Sequence, residues 1–294
     1  MKSSFRGANL QPENTVGKGK KKMVNVRWTG AAGLEFTHSD RVILIDPYLS
    51  RPGKIEVFFK HVRPKDDVVK RYVQGLKGKL SAIIVGHTHF DHALDIPVLA
   101  KHFDGLLVGS SSLETLMAMH GMPGRVTVCK GRERVELSGG AAVTMITSIH
   151  GLVALGRIPY PGEIKPTGRL PLKSSEYQHG TVFMTKLELD GKVFMHVGSA
   201  NFVESELDGH SCDVLFMCVP GWKKVPRYTS RLLQIVKPKL IVPFHYDDFS
   251  APISPNVKVR TLPLQDMAGF LKRISESAPD AEIRNVRPFE TMSF

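Results

Sequence analysis

The sequence predicts an α/β protein in which two β-sheets are covered on their outer faces by helices. Short apolar or β-branched runs separated by glycine and Ser-Asp turn signals fill the first half of the chain, and strand-like and helix-like segments alternate in the last third. The 294 residues, of which 42% are hydrophobic and 23% charged, can bury a sizeable core. Neither an internal repeat nor a composition break marks a second domain. We therefore expect one domain over 23–294.

The first half is expected to form strands wherever apolar or β-branched residues follow one another between turn signals. A charged segment at 66–79 has helical spacing, and a second helix is expected at 111–121. Asp95 and Pro97 suit the cap and the first turn of a helix that ends near Phe103. The expected strands are 23–30, 33–39, 41–49, 81–86, 106–110, 125–130, 134–138 and 142–150.

The second half opens with a hairpin, because two strand-like runs flank Asp190-Gly191, a strong two-residue turn signal. Before it, residues 151–178 are rich in glycine, proline and basic residues and show no periodicity, so they predict a long loop. The remaining elements are strands at 181–189, 192–199, 213–219 and 239–245 and helices at 226–236 and 263–277.

Net charge, apolar runs and cysteine spacing indicate which partners and which compartment this protein can have. The formal net charge of +12 favours anionic partners, and its densest cluster, GKGKKK, lies in an N-terminal arm, 1–22, expected to be flexible. No apolar run reaches the roughly 20 residues of a membrane span, and the arm lacks the apolar core of a secretory signal. Three cysteines without ligand spacing favour a reducing compartment, so we expect a cytoplasmic protein. No nucleic-acid-binding pattern accompanies the charge.

The most informative stretch is Ser81–Asp95, SAIIVGHTHFDHALD, in which an apolar run ends in three histidines and an aspartate. Neutral imidazole and carboxylate bind zinc and similar divalent ions at about 2.0–2.2 Å. His87 and His89 are two residues apart on an extended segment, so they point the same way and can hold one ion together. A turn after them would direct Asp91 and His92 to a neighbouring position.

This motif and four later or earlier landmarks resemble the metallo-β-lactamase superfamily. The other landmarks are IDPYL, TSIHG, FMHVGSANF and VPFHYDDF, in an order that spans about residues 24–250. Within the superfamily the chain looks like the branch of ascorbate-6-phosphate lactonase-like and N-acylphosphatidylethanolamine phospholipase D-like proteins. The resemblance implies a four-layer αββα sandwich and two neighbouring metal positions.

The resemblance also implies roles for individual residues of these landmarks in this chain. Asp46 is implied to brace the metal loops rather than to bind an ion. Asp91 is implied to orient the attacking water or to accept its proton. The implied metal ligands are His87, His89 and His150 for the first ion and Asp91, His92 and His245 for the second.

One position departs from the family pattern. Where the family has an aspartate that bridges two ions, this chain has Ser199, with Asn201 close by; His196 and Gly198 anchor the alignment. A neutral hydroxyl is a weak ligand and cannot offset the charge of two divalent cations roughly 3.5–4 Å apart. We therefore expect one secure ion and a weak second one, with zinc favoured over manganese or iron.

The expected activity is hydrolysis of an ester, lactone or phosphodiester by a metal-activated water. The loop after His150 mixes apolar and basic residues, which suits a small anionic or amphiphilic substrate. Its candidate contacts, together with one tryptophan later in the chain, are Arg157, Tyr160, Lys165, Arg169 and Trp222. The remaining histidines are expected to be ordinary surface or core residues: His38, His61, His102, His120, His179 and His210.

Two other functions stay open at this point. The basic charge is compatible with a nuclease of the same fold, although no added nucleic-acid-binding segment supports it. The serine at position 199 is compatible with a non-catalytic metal-binding or ligand-sensing protein. A homo-oligomer is compatible with each of these functions.

Overall fold

Two seven-stranded sheets pack face to face, with helices on both outer faces, in the computed structural model of this protein. The structure describes residues 23–255, 258–263 and 265–294, so the predicted flexible arm at 1–22 lies outside the described residues. The α/β sandwich predicted from the sequence is confirmed. No helix within these described ranges is long and apolar enough to cross a membrane.

The strands divide evenly between the two sheets. The first sheet has the order β14-β1-β2-β3-β4-β5-β6, and the second has the order β13-β12-β11-β10-β9-β8-β7. Their bounds are β1 Asn25–Gly30, β2 Gly33–His38, β3 Arg41–Ile45, β4 Lys79–Ile84, β5 Leu106–Gly109, β6 Val126–Val128, β7 Arg134–Glu136, β8 Ala142–Ser148, β9 Val182–Leu189, β10 Lys192–Val197, β11 Val214–Cys218, β12 Leu240–Phe244, β13 Glu282–Ile283 and β14 Thr291–Ser293.

The helices divide between the outer faces. The first five supply apolar residues to the cluster on the outer face of the first sheet, and the last two pack on the second sheet. Their bounds are α1 Lys54–Phe59, α2 Asp66–Gln74, α3 Phe90–Ala93, α4 Ile96–Leu99, α5 Ser111–Met119, α6 Tyr228–Val236 and α7 Met267–Ser277.

The core follows from strands that are apolar on both faces. In β3, Ile43 and Ile45 point into the cluster between the sheets, whereas Val42 and Leu44 point into the cluster beneath the helices. Side chains alternate along a strand, so a strand buried on both faces must be apolar throughout. The run VILI therefore predicts a central strand, and β3 does lie in the middle of its sheet.

Most predicted elements are confirmed within a few residues. The hairpin of β9 and β10 turns at Asp190-Gly191, and α2, α5, α6 and α7 lie within their predicted segments. The sequence analysis missed α1, β13 and β14, and its expectation for Asp95 was wrong in part. Asp95 precedes α4, but its carboxylate caps nothing there; it accepts hydrogen bonds from the backbone amides of Leu49 and Ser50 instead.

The strand directions bring five chain segments to one edge of the sandwich. β3 and β4 are parallel neighbours, and β10, β11 and β12 are parallel in the other sheet. β8 is antiparallel to β9, which is antiparallel to β10, so β8 runs in the same direction as β10. The carboxyl ends of β3, β4, β8, β10 and β12 are the points at which the sequence places its candidate site residues.

A buried ion pair joins the two sheets at this edge. Arg51, which follows β3, donates to the Asp247 carboxylate at 2.6 Å and to the carbonyl oxygens of Asp248 and Ala251. The same carboxylate accepts from the backbone amide of Ala31, between β1 and β2. Both charged side chains are almost fully buried, so each one depends on the other for its charge partner.

We predict that Arg51→Ala lowers the free energy of unfolding by about 3–5 kcal/mol, because it leaves the Asp247 carboxylate buried without its cation. Urea unfolding measures this loss. Arg71→Ala is the matched control, since Arg71 pairs with Asp67 at 2.8 Å on an exposed helix surface, where such pairs contribute less than about 1 kcal/mol. Equal losses in the two variants would contradict a structural role for the buried pair.

Candidate metal centre

The histidine motif leaves the end of β4 as an extended segment and then turns into α3. His89 has extended backbone angles and lies directly before the helix, whereas Asp91 and His92 are inside it. One backbone bond ties the segment to β9 of the second sheet, from Phe183 N to Gly86 O at 2.8 Å, and another ties it to the end of the long loop, from Thr88 N to His179 O at 2.9 Å. The predicted turn between the two pairs of ligands is therefore present.

The first predicted ligand set is brought together. His87, His89 and His150 are buried, and each offers a nitrogen within 4.8 Å of the others. His87 Nε2 and His89 Nδ1 are 3.2 Å apart. Two ligands of a tetrahedral ion with bonds of about 2.0–2.1 Å are separated by roughly 3.3 Å, so this spacing fits zinc or a similar ion.

Hydrogen bonds to the backbone set the tautomers of this set. His89 Nε2 lies 2.9 Å from the carbonyl oxygen of Pro159, and His150 Nδ1 lies 2.8 Å from that of Gly151. A carbonyl oxygen can only accept, so these two nitrogens carry the protons. His89 Nδ1 and His150 Nε2 are thereby left with free lone pairs for a metal.

The second predicted set is also brought together. Asp91, His92 and His245 are buried and offer ligand atoms within 4.8 Å of one another. Asp91 Oδ2 is 3.9 Å from His92 Nε2 and 3.5 Å from His245 Nε2. This set contains one carboxylate and two imidazoles, whereas the first set contains no negative charge.

Asp46 follows β3 and holds the histidine segment after β4 from a fully buried position. Its Oδ1 accepts from Gly86 N at 2.6 Å, and its Oδ2 accepts from His92 Nδ1 at 2.8 Å. The second bond leaves His92 Nε2 free toward the metal position, as a carboxylate behind a ligand histidine does. Burial raises the pKa of Asp46 to about 6, although the nearby His196 and the Gly86 amide act in the opposite direction.

Gly198 shows how closely the second sheet approaches this carboxylate. A Cβ at Gly198 would lie 3.1 Å from Asp46 Oδ2 and 2.9 Å from His196 Cε1. His196 Nε2 is 2.8 Å from the carbonyl oxygen of Ala32, so its Nε2 donates away from the metal positions. These two close approaches favour glycine over any larger residue at position 198.

The Ser199 side chain forms a hydrogen bond with the backbone beside His150. Its hydroxyl accepts from Gly151 N at 2.9 Å, directly after His150. Asn201 lies beside the same loop, where its Nδ2 is 3.4 Å from the His150 carbonyl oxygen and its Oδ1 accepts from Phe202 N. Both residues thus hold the strand end that carries His150, and neither brings a carboxylate to the position between the ions.

The His245 ring makes no hydrogen bond to any described residue through Nδ1, and the backbone of this residue has an unusual conformation. It follows β12 with φ +65°, a strained value for a residue other than glycine. Its Nδ1 is buried and makes no hydrogen bond to the part of the chain that the structure describes. The second ligand set therefore contains one imidazole whose orientation no hydrogen bond secures.

Burial keeps four of the candidate ligand histidines neutral: His87, His89, His92 and His150. The pKa values of His92 and His150 are lowered to about 3, chiefly by desolvation, and those of His87 and His89 are lowered well below 6.5 for the same reason. Repulsion between neighbouring imidazoles adds to the effect at His87 and His89. A metal needs the neutral imidazole, so the fold holds these side chains ready to bind one.

His179 joins the centre, although the sequence analysis expected an ordinary surface or core residue. Its ring is stacked on that of His150, with the centroids 6.1 Å apart, and lies 5.8 Å from that of His89. Its Nδ1 is hydrogen-bonded to the carbonyl oxygen of Gly180, and its backbone amide donates to Tyr160 O. Its place at the end of the long loop was the one sequence signal.

The long loop lies over the first ligand set. Besides the contact of Pro159 with His89, the Tyr160 ring is 6.2 Å from the His89 ring. Arg157 and Lys165 are exposed on this loop. Arg169 donates to Glu176 and contacts His61, away from the ligands.

Trp222, the remaining candidate contact, packs its ring 5.5 Å from that of Phe270 on α7. Gly221 before it lies against the start of the long loop, since a Cβ there would be 2.7 Å from the Leu152 carbonyl oxygen. The structure thus places Trp222 beside the loop but directs its ring into the packing of the second sheet.

The fold and the two His/Asp sets define a metallo-β-lactamase-type αββα protein with a metal-binding edge. A family model described as a beta-lactamase superfamily domain matches residues 25–245. The chain therefore belongs to the metallo-β-lactamase superfamily, and the resemblance to this superfamily seen in the sequence is confirmed. The lactonase-like or phospholipase-like branch stays a prediction.

Similar proteins support the same family. A UPF0173 metal-dependent hydrolase of Anaeromyxobacter sp. (strain K) is 28% identical over 254 residues, which are 83% of this chain and 80% of that protein. A UPF0173 metal-dependent hydrolase of Pyrobaculum islandicum is 26% identical over 92% of this chain and 99% of that protein. Both relatives, named as metal-dependent hydrolases, are similar to this chain over most of their length.

A solved structure shares the fold. Igni18, a metallo hydrolase from the archaeon Ignicoccus hospitalis, superimposes with a TM-score of 0.60 and 17% identity. The match covers 92% of this chain and 98% of that chain. Both chains therefore have the same arrangement of sheets and helices over nearly their whole length.

We predict that the metal-free protein loses stability as the pH falls from about 7.5 to 5.5. The folded state keeps His92 and His150 neutral while the unfolded chain takes up protons near pH 6.5, so stability present above that pH is lost on the way down to about 3. The ceiling is about 1.4 kcal/mol for each histidine per pH unit. Asp46 acts in the opposite direction, because its raised pKa lets the folded state take up a proton first.

Urea unfolding of chelator-treated protein at the two pH values measures this loss. His87→Asn is expected to reduce the pH dependence, whereas the same substitution at the exposed His102 is the control and is expected to preserve it. A free energy of unfolding that is the same at both pH values would contradict the neutral state of the cluster.

Proposed function

We propose that this protein is a metal-dependent hydrolase that cleaves an ester, lactone or phosphodiester bond in a small anionic or amphiphilic molecule. One observation carries the proposal: lone pairs of neutral, buried imidazoles converge at a strand edge with a carboxylate beside them. Three histidines with imidazole nitrogens at this spacing suit zinc, and manganese or iron are alternatives.

A divalent ion held by His87, His89 and His150 would supply Lewis-acid activation of water and of the substrate oxygen that gains charge. Asp91 is the residue we propose as the proton acceptor. Its Oδ2 lies near His92 and His245, and no lysine or arginine among the described residues forms an ion pair with it. Its side chain is only slightly accessible to solvent. A carboxylate in this position can orient a water and hold its proton.

The second ion is proposed to bind more weakly than the first. Two divalent ions at close range need a shared negative ligand, and Asp91 is the one carboxylate of the second set. Ser199 contributes a neutral hydroxyl that is already engaged with Gly151 N. The unsecured ring of His245 weakens the same set further.

The loop 151–178 is proposed to contact the substrate. Tyr160 and His179 lie beside the first ligand set, and Arg157 and Lys165 add exposed positive charge to the same loop. An anionic group of the substrate could bind Arg157 or Lys165 while an apolar portion of the substrate contacts the Tyr160 ring. We give Arg169 and Trp222 a smaller role, since their side chains have other partners.

A non-catalytic metal-binding or sensing protein is the second candidate, and Ser199 is the observation that favours it. If the chemistry requires both ions, the missing bridging carboxylate would abolish turnover. The proposal of a nuclease gains no observation from the described residues.

We predict that Asp91→Asn keeps the first ion but lowers kcat by about 10²–10⁴-fold, because it removes a proton acceptor and leaves His87, His89 and His150 in place. His87→Ala with His89→Ala is expected to lose both metal and activity. Elemental analysis gives the metal content, and bis-p-nitrophenyl phosphate and simple lactones with added zinc, manganese or iron give the rate.

His102→Asn, at an exposed histidine, is the control and is expected to retain both metal content and rate. Full activity of the double variant would rule out the assigned ligand set. Tight metal binding without turnover on any of these substrates would favour the sensing candidate instead.

We further predict that Ser199→Asp raises the tightly bound metal from about one toward two ions per chain, because a carboxylate there can neutralise the pair. Ser199→Ala is the matched control, since it removes the same hydroxyl without adding charge. The ratio of metal to protein after dialysis measures the difference. Two tightly bound ions in the unaltered protein would contradict the assignment of Ser199.

A further inference from the structure

An apolar surface stands outside the hydrolase site on the short helix α1. Ile55, Phe58 and Phe59 are 66%, 64% and 82% exposed, although each is a large hydrophobic residue. They are spaced at i, i+3 and i+4, so they share one face of the helix. Val57, on the opposite side, is buried in the core and anchors the helix.

Positive charge surrounds this face. Lys54 and Lys60 stand at its two ends, and both are exposed. Arg63 and Lys65 follow in the chain, and the His61 backbone pairs with that of the exposed Lys173. The acidic Glu56 uses a carboxylate oxygen to accept from Gly53 N, at the start of the helix. We call Ile55, Phe58 and Phe59 with Lys54 and Lys60 the α1 face.

The charge decides between possible occupants of the α1 face. A second copy of the chain would bring one basic rim against another, because a two-fold interface pairs a surface with itself. The N-terminal residues 1–22 carry GKGKKK and have the same sign. Three apolar side chains also fall short of the roughly 800 Å² per partner that stable protein interfaces bury.

We propose that the α1 face docks the protein on an anionic lipid surface. Aromatic rings enter the boundary between headgroups and acyl chains, and lysines beside them bind anionic headgroups. The adjacent rings of Phe58 and Phe59, 6.5 Å apart, and the flanking lysines fit this chemistry. The net charge of +12 adds a longer-range attraction to the same surface.

Docking in this way would bring the substrate loop to the lipid. Ser174 Oγ donates to Val57 O of α1, and Val62 N donates to Leu172 O, so the far end of the loop 151–178 is fastened to this helix. Lys54 also lies 3.5 Å from Asp248, three residues after His245. The proposal goes beyond the hydrolase function and does not require it.

Vesicle sedimentation tests the proposal with the full chain. We expect binding to phosphatidylcholine vesicles that contain about 30% phosphatidylserine, weak binding to phosphatidylcholine alone, and weaker binding at high salt. Phe58→Ser with Phe59→Ser is expected to lower the partition coefficient at least tenfold. Val128→Ser, at an exposed residue of β6, is the matched apolar control and is expected to bind normally.

Charge variants separate the α1 face from the overall charge. Lys60→Glu is expected to lower the partition coefficient about fivefold or more, whereas Lys272→Glu on the exposed surface of α7 makes the same charge change elsewhere and is expected to have little effect. Thermal unfolding of each variant confirms that it is folded. Folded Phe58/Phe59 variants that bind like the unaltered protein would overturn the proposal.

Two other results would also overturn it. One is equal loss of binding with Lys60→Glu and Lys272→Glu, which would assign the attraction to net charge alone. The other is a dimer in sedimentation velocity that the Phe58/Phe59 double variant abolishes, which would assign the α1 face to a second copy of the chain.

Discussion

The geometry of the candidate metal centre depends on the hydrogen bonds that the buried carboxylate of Asp46 accepts. Asp46 follows β3, accepts from Gly86 at the start of the histidine segment, and accepts from His92 inside α3. From the second sheet, Gly198 lies so close that a Cβ there would be 3.1 Å from Asp46 Oδ2. One carboxylate therefore positions the loops of three strands, and it does so at φ +46°, a strained value for aspartate.

The histidines can lie this close together without bound metal because their rings are neutral. Keeping them neutral lowers the stability of the folded protein at a pH where the unfolded chain would bind protons. Desolvation and mutual repulsion lower the pKa values of His87 and His89, so these side chains stay neutral in the folded protein at a pH where the unfolded chain would bind protons. The Arg51–Asp247 pair strengthens the same edge by joining the two sheets beside His245. The stabilising ion pair therefore lies next to a cluster of buried histidines that lowers the stability of the folded protein.

The two ligand sets are unequal for physical reasons. In the first set, carbonyl oxygens of Pro159 and Gly151 orient two imidazoles through hydrogen bonds. In the second, Asp46 orients His92, but the buried Nδ1 of His245 has no hydrogen-bond partner among the described residues. Ser199 supplies no charge between the sets. This asymmetry is why the proposed chemistry relies on one ion and on Asp91.

The sequence by itself determined most of the strand-and-helix order, because strand ends and hairpin turns are local features, and its resemblance to the superfamily implied the six candidate ligands and the altered position 199. The structure brings all six ligands into two sets without requiring a change. Only the tertiary structure decided that His179 stacks on His150, that Pro159 reaches His89, that Asp95 binds the Leu49–Ser50 backbone, and that Phe58 and Phe59 stay exposed. These are contacts, or the absence of burial, among segments far apart in the chain, which no local pattern specifies.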